Sequence, residues 1–337
     1  MVNNSSRPAI AAIGLRKSYG DNTVLDGIDL NVAEGSVFAL LGPNGAGKTT
    51  AVQILSTLLP ADGGQMRIAG HDLATDPESV RKAIGVTGQF SAVDNLLTGE
   101  ENLLLMADLH HLDRTEGRRR ALELLKRFDL VEAAKSTPAT YSGGMIRKLD
   151  LAMTLIGDPS VVFLDEPTTG LDPGARRIMW QAIRNLVAAG VTIFLTTQYL
   201  EEADELADRI ALLDHGRLVA EGTADELKLL IPGGHIRLQF ADHAELDSAA
   251  RTFSASVRDD DALSLQIPGD SDVRSLRAVL DHLEMASIDV ATLTVHTPDL
   301  DDVFLALTGR PADADSAGQQ TNDQIEQRID KHREAVR

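Results

Sequence analysis

The sequence predicts an α/β protein: a parallel sheet with helices on both faces, followed by a small α+β domain. Three observations lead there. Val37–Leu41, Val161–Leu164 and the stretch VTIFLTT at Val191–Thr197 are short apolar runs of the kind found in strands buried on both faces. Helical stretches separate them, the alternation that a parallel sheet requires. The first run feeds directly into the glycine-rich segment GPNGAGKTT at Gly42–Thr50 and then into a helical pattern.

Along the chain, the first sixty residues alternate strand-like runs and turns. Ile28, Leu30 and Val32 alternate with polar residues, as in a half-buried strand. After the glycine-rich segment, Val52, Leu55 and Leu59 recur at i, i+3 and i+7, and Pro60 ends the pattern. From about Asn95 to Pro159 the texture is helical. ENLLLMADL and ALELLKRFDL are built from strong helix formers, and Gly157 and Pro159 close the last helix. After Ile231 the texture changes, and PGG at Pro232–Gly234 reads as a boundary. Ile236, Leu238 and Phe240 alternate, as do Leu263, Leu265 and Ile267. Val273–Leu283 is helical, and Ile288–Val295 is strand-like. The expected domains are therefore 1–231, with a helical subdomain at about 90–160, then 232–310, then a polar, flexible tail at 311–337.

Composition narrows the function classes. The chain has 337 residues, long enough for roughly two or three domains. Lys+Arg 32 against Asp+Glu 51 gives a net charge of −19, which argues against holding DNA or RNA by overall charge. With no cysteine there is neither a disulfide scaffold nor a thiolate metal site. MVNNSSRP at Met1–Pro8 has no apolar core, so it is not a secretory leader. The apolar runs fall far short of the about 20 residues that a spanning helix needs. The expectation is a cytoplasmic protein that reaches a membrane only through another chain.

Gly42–Thr49 fits G-x-x-x-x-G-K-[ST] between a buried strand and an amphipathic helix. Such glycines let the backbone curl so that N–H groups face phosphate oxygens, and the helix N-terminus adds partial positive charge. Gly42, Pro43, Asn44, Gly45, Ala46, Gly47, Lys48, Thr49 and Thr50 are thus candidates for cradling the phosphates of a nucleotide. Lys48 is expected to reach the β- and γ-phosphates, and Thr49 to ligate Mg²⁺. VVFLDE at Val161–Glu166 places two carboxylates at the carboxyl edge of the sheet, where ligands of open α/β sheets bind. Asp165 is expected to hold Mg²⁺ through water, and Glu166 to orient and deprotonate the attacking water. YSGGM at Tyr141–Met145 opens a helix with Ile146, Leu149, Met153 and Ile156 on one face. Ser142 suits the N-cap, and Gly143 and Gly144 permit close approach of a phosphate. Taken alone this segment would be an ordinary capped helix.

The order GPNGAGKT, Gln89, YSGGM and VVFLDEPTTGLDP resembles the ATP-binding subunits of ABC transporters, over roughly Ala9–Leu230. The resemblance implies a P-loop NTPase (ABC ATPase) core with an antiparallel β subdomain and a helical subdomain. It implies that Tyr19 stacks on adenine and that Gln89 contacts Mg²⁺ and a membrane subunit. Ser142, Gly143, Gly144 and Met145 would close over the ATP of the opposite subunit, and Gly170–Asp172, with Asp172, would link the two sites. VTGQFSAVDNLLTGEENL, TTQYLEEAD and DDVFLALTG further resemble the daunorubicin/doxorubicin-resistance type, which drives efflux.

Two positions depart from the commonest family pattern. Met145 replaces a glutamine, and Gln198 stands where most members carry a histidine; glutamine can donate a hydrogen bond but cannot become cationic. The daunorubicin-type subunits share Gln198, so retained but modest hydrolysis is expected, with Glu166, Gln198 and Lys48 as catalytic residues. Glu201, Glu202 and Asp204 read as charges capping a helix start. One phosphate loop and one signature imply a homodimer through two ATP sites, with separate integral membrane permease subunits, no nucleic acid, and a peripheral place on the cytoplasmic face of the cell membrane. An importer subunit, or a soluble ATPase acting on ribosomes or DNA, remain the alternatives.

Overall fold

The computed structural model describes residues 8–230, 234–254, 256–268 and 273–309. Pro232 and Gly233 of the expected boundary, and the expected tail at 311–337, lie outside the described residues. The described chain divides into two units, between Ala224 and Asp225.

In the first unit, β1 (Ile10–Tyr19) and β2 (Asn22–Val32) form a hairpin, and β3 (Val37–Leu41) leads through the glycine-rich loop into α1 (Lys48–Leu55). Then come β4 (Gly63–Ile68), β5 (His71–Asp72), α2 (Pro77–Ala83) and β6 (Ile84–Thr87). The helices α3 (Gly99–Leu109), α4 (Arg114–Arg127) and α5 (Gly143–Thr154) occupy the stretch read as helical. They are followed by β7 (Val161–Asp165), α6 (Pro173–Ala188), β8 (Thr192–Thr197), α7 (Leu200–Leu206), β9 (Arg209–Asp214) and β10 (Arg217–Gly222).

Two sheets result. One is antiparallel, in the order β2-β1-β4-β5. The other runs β10-β9-β3-β8-β7-β6 and is parallel except at β10. Every residue of β3, β7 and β8 is buried, as uninterrupted apolar runs require when helices cover both faces. A single core joins the two sheets, with Ile10, Leu15, Leu25 and Ile28 packed among Phe38, Leu40, Ile54 and Phe163. The first helix stops at Leu55, one turn before Pro60, so Leu59 lies beyond it. The cause is Thr57, whose φ of 66° is a left-handed helix stop.

The second unit opens in the short helix α8 (Ala224–Lys228), which spans the division. It continues with β11 (His235–Gln239), α9 (His243–Thr252), β12 (Val257–Asp259), β13 (Ser264–Pro268), α10 (Val273–Ala286), β14 (Thr292–His296) and α11 (Leu300–Thr308). The strands form an antiparallel sheet ordered β12-β13-β11-β14. Ile236, Leu238, Phe240 and Leu265 meet Leu246, Val279 and Leu283 in its core. The alternation read in the sequence marks β11 and β13, and α10 runs one turn past Leu283. The last strand covers less than Ile288–Val295: Ile288 packs into the core, and pairing begins at Thr292.

Candidate functional site

A row of phenylalanines fixes the site's floor. Phe38, Phe194 and Phe163 are register partners on β3, β8 and β7, with both neighbouring ring pairs 5.6 Å apart between centroids. All three are essentially inaccessible, and each aromatic pair contributes about 0.5–1.5 kcal/mol beyond its buried area. Two or three residues further on, these strands end together. Leu41 pairs with Thr197, and Asp165 with Thr196. The start of the glycine-rich loop, the acidic pair and Gln198 therefore emerge at one edge of the sheet.

The loop is shaped by backbone that side chains would obstruct. Gly45 and Gly47 have φ of 79° and 110°. A Cβ on Gly47 would lie 2.7 Å from Leu25 Cδ2 and 2.9 Å from the Val24 carbonyl oxygen, and one on Gly42 would lie 2.3 Å from the Leu213 carbonyl oxygen. The loop closes in front of α1, where N–H groups lack intrahelical partners and suit an anion. Asn44, Gly45 and Thr49 are exposed, Pro43 and Thr50 are partly exposed, and Ala46 is buried. The ammonium of Lys48, 4% exposed, donates to the carbonyls of Gly42 at 2.8 Å and Pro43 at 3.0 Å.

Opposite it stands the acidic pair. Asp165 is buried, and its Oδ1 accepts a hydrogen bond from the Thr196 hydroxyl. Glu166, the next residue, has φ of 49°, an uncommon conformation for a side chain of this size. Its N–H donates to the Thr196 carbonyl at 3.1 Å. Its carboxylate meets three groups: Oε1 lies 3.6 Å from Lys48 Nζ, and Oε2 accepts from Thr169 Oγ1 at 3.3 Å and from Gln89 Nε2 at 3.5 Å. Lys48, Gln89 and Glu166, three of the sequence candidates, are thus brought into one constellation, with Asp165 adjoining. Tyr19 is half exposed at the end of β1, and Lys17 Nζ lies 5.5 Å from its ring centroid. Gln198 follows β8 directly and is partly exposed.

The signature segment forms a second helix start. Ser142 caps α5 by accepting from the Met145 N–H at 3.3 Å, and Gly143 and Gly144 occupy its first turn. Asp172 caps α6 through the N–H groups of Gly174 and Ala175. Ser142–Met145 and Gly170–Asp172 line one concavity of about 540 Å³. Tyr141 donates its hydroxyl to the Ala133 carbonyl at 2.6 Å. Its phenolic end fits because position 99 lacks a side chain.

Several residues that shape the site carry no motif. Thr196 reads as one more strand residue, and Arg147 and Asp150 as ordinary helix charges. Glu202 corrects the reading of a cap: it is fully buried, and its Oε1 accepts from Thr168 at 2.8 Å and Trp180 Nε1 at 3.2 Å. Burial pushes its carboxyl pKa up, and the hydrogen bonds offset part of that rise. Arg147 and Asp150 lie at i and i+3 on α5 and are both buried, so each charge needs internal partners.

Residues 25–169 match the family model described as ABC transporter. The chain is 48% identical to the daunorubicin resistance ATP-binding protein DrrA3 of Streptomyces coeruleorubidus, over 89% of this chain and 96% of that one. The chain belongs to the ABC transporter family. The daunorubicin/doxorubicin resistance ATP-binding protein DrrA of Streptomyces peucetius is 46% identical, over 93% of this chain and 96% of that one. A solved ATP-binding subunit of an ABC transporter superposes with a TM-score of 0.59 at 32% identity, covering 66% of this chain and 92% of that one. The ABC transporter chain is thus an ATP-binding, ATP-hydrolysing protein with the P-loop fold expected from its motifs. Among the described residues, no helix is long and apolar enough to cross a membrane.

Proposed function

We propose that the chain powers a separate membrane permease that exports drugs, antibiotics or lipids, and that it does so as a homodimer enclosing two ATP molecules. The observation that carries this is the pairing of the Lys48–Glu166–Gln89 constellation with a second, differently built helix start at Ser142–Met145 in a chain that has one of each. A complete site of this family combines the first from one copy with the second from the other.

In this reading Tyr19 stacks on adenine. Loop N–H groups of residues 42–50 hold the phosphates, and Lys48 leaves its own carbonyls for the terminal phosphate oxygens. Glu166 takes a proton from the attacking water through Oε1 or Oε2, in a pocket that excludes most solvent. Gln89 and Gln198 orient that water and the terminal phosphate by hydrogen bonds without adding charge. Thr49, Gln89 and Asp165 supply the oxygen donors a hard cation prefers, and buried Asp165 is held ready by Thr196. Mg²⁺ bound there would neutralise charge developing on the phosphoryl oxygens. Names of relatives that confer drug resistance support export, and the membrane partner would hold this chain at the cytoplasmic face of the membrane.

The test is affinity purification of the full chain from detergent-solubilised membranes. Recovery of a polytopic membrane protein in fixed ratio is the expected result. Recovery of ribosomes, of DNA-associated proteins or of the chain alone would overturn the transport reading.

A further inference from the structure

Arg147 is 9% exposed, and its guanidinium spends all its donors on two backbone segments and one carboxylate. Nε donates to the Pro167 carbonyl at 2.8 Å; Nη2 to the carbonyls of Glu166 at 3.2 Å and Asp165 at 3.5 Å; Nη1 to the Gly88 carbonyl at 3.2 Å and to Asp150 Oδ2 at 3.3 Å. Asp150, 3% exposed and one turn further along α5, accepts the Ala92 N–H at 3.1 Å through its other oxygen. The pair therefore grips the segment around Gln89 at both ends, residue 88 and residue 92. It also grips the chain on both sides of Glu166, the residue held at positive φ.

Burying an ion pair is costly, and apolar side chains of similar volume fill a core at least as well. Here the partners of the charge are backbone oxygens of the catalytic turn rather than of the scaffold. Arg147 also lies two residues beyond Met145, on the helix whose first turn is the signature.

We propose that Arg147 and Asp150 are positioning residues that hold Glu166 and Gln89 in register with the signature helix, so that docking of α5 sets the hydrolytic geometry of its own subunit. This rests on the reading of Glu166 as the base. The clamp transmits position in either direction: a shift of α5, or of the 88–92 segment, moves the Glu166 carbonyl and with it the carboxylate relative to Lys48. Neither residue touches the reacting atoms.

The experiment is a double-mutant cycle in the full chain, scored by kcat, KM for ATP, equilibrium binding of a fluorescent ATP analogue, and thermal unfolding. Glu166→Gln alone tests the underlying reading, since an unchanged kcat would remove the base. Arg147→Met should lower kcat about a hundredfold while leaving KM and analogue binding within about threefold. Arg147→Lys, whose ammonium cannot span the same carbonyls, should lower kcat about tenfold. Asp150→Asn, which keeps the shape and an acceptor, should fall between wild type and Arg147→Met. In the Glu166→Gln background, Arg147→Met should have almost no further effect, because both act on one step. A full additional loss in that background would overturn the clamp while leaving Glu166 as base. So would a lowered melting temperature with kcat per folded molecule unchanged. If Arg147→Met does not fold, the comparison of Arg147→Lys with Asp150→Asn decides: unchanged kcat in both overturns the proposal.

Discussion

Lys48 Nζ and Glu166 Oε1 lie 3.6 Å apart, with side chains only 4% and 10% exposed. One group opens α1 beyond the loop that follows β3, the other belongs to the turn after β7, and β8 lies between those strands. A cation and a carboxylate thus share one shielded volume, the first proposed to hold phosphate and the second to activate water, and each can be removed separately.

Replacing Glu166 by Gln keeps the shape and removes the proposed base. Phosphate release should fall by about 10²–10⁴-fold with ATP binding retained. Lys48→Met should instead abolish binding as well. Steady-state phosphate assays beside equilibrium nucleotide binding separate the two, and a Lys48→Met chain that binds ATP as wild type does would contradict the assignment.

The amide of Gln198 carries no charge at any physiological pH. The wild-type rate should therefore show no inflection arising from this position. A Gln198→His chain should gain one near the ordinary imidazole pKa of about 6.5. Initial rates measured across that range, wild type against variant, decide it; superimposable profiles would mean that position 198 does not face the reacting phosphate.

Gly99 and Tyr141 are fitted to each other. A Cβ at position 99 would lie 2.3 Å from the Tyr141 hydroxyl oxygen but 3.4 Å from the ring carbon that bears it. Gly99→Ala should destabilise the chain by about 1–3 kcal/mol. In a Tyr141→Phe background the same change should be neutral or slightly stabilising, since alanine exceeds glycine in helices by about 1 kcal/mol. Urea unfolding of the four chains measures the coupling, and a value near zero would refute the fit.

Burial raises the pKa of Glu202 above its unfolded value. The native state therefore binds the proton more tightly. The stability contributed is complete below the unfolded carboxyl pKa of about 4.3 and is lost as pH rises through the folded value. Glu202→Gln should match the protonated form, removing this part of the slope and leaving the variant the more stable chain above the folded value. Denaturation midpoints compared across pH test the sign, and a variant less stable at every pH would show that the carboxylate itself is required.

The parts of the fold legible in sequence are those where one physical demand dominates. Short apolar runs rich in β-branched and aromatic residues and bounded by turn residues suit central strands, and the glycines at 45 and 47 announce a turn few other residues tolerate. That Lys48 and Glu166 would meet was legible, because both follow buried strands whose carboxyl ends share one edge of the sheet; their roles are those proposed above. What escaped depends on partners distant in sequence. Glu202 looks like one of several acidic residues opening a helix until Thr168 and Trp180 close around it. Arg147 finds its acceptors about twenty and sixty positions away, at Pro167 and Gly88, and no periodicity points there. Asp242 caps α9, a short helix whose polar sequence gave no periodic signal strong enough to mark it, and Asp299 caps α11, a helix of nine residues with only three buried positions.

Trp180 is the single tryptophan of the chain, and its indole N–H rests on Glu202, which also holds Thr168 two residues past Glu166. The molecule thus carries its own optical probe. Any rearrangement of the turn between β7 and α6 alters the hydrogen bonding, and hence the ultraviolet emission, of one unambiguous chromophore, so the catalytic cycle can be followed in real time without attaching a dye.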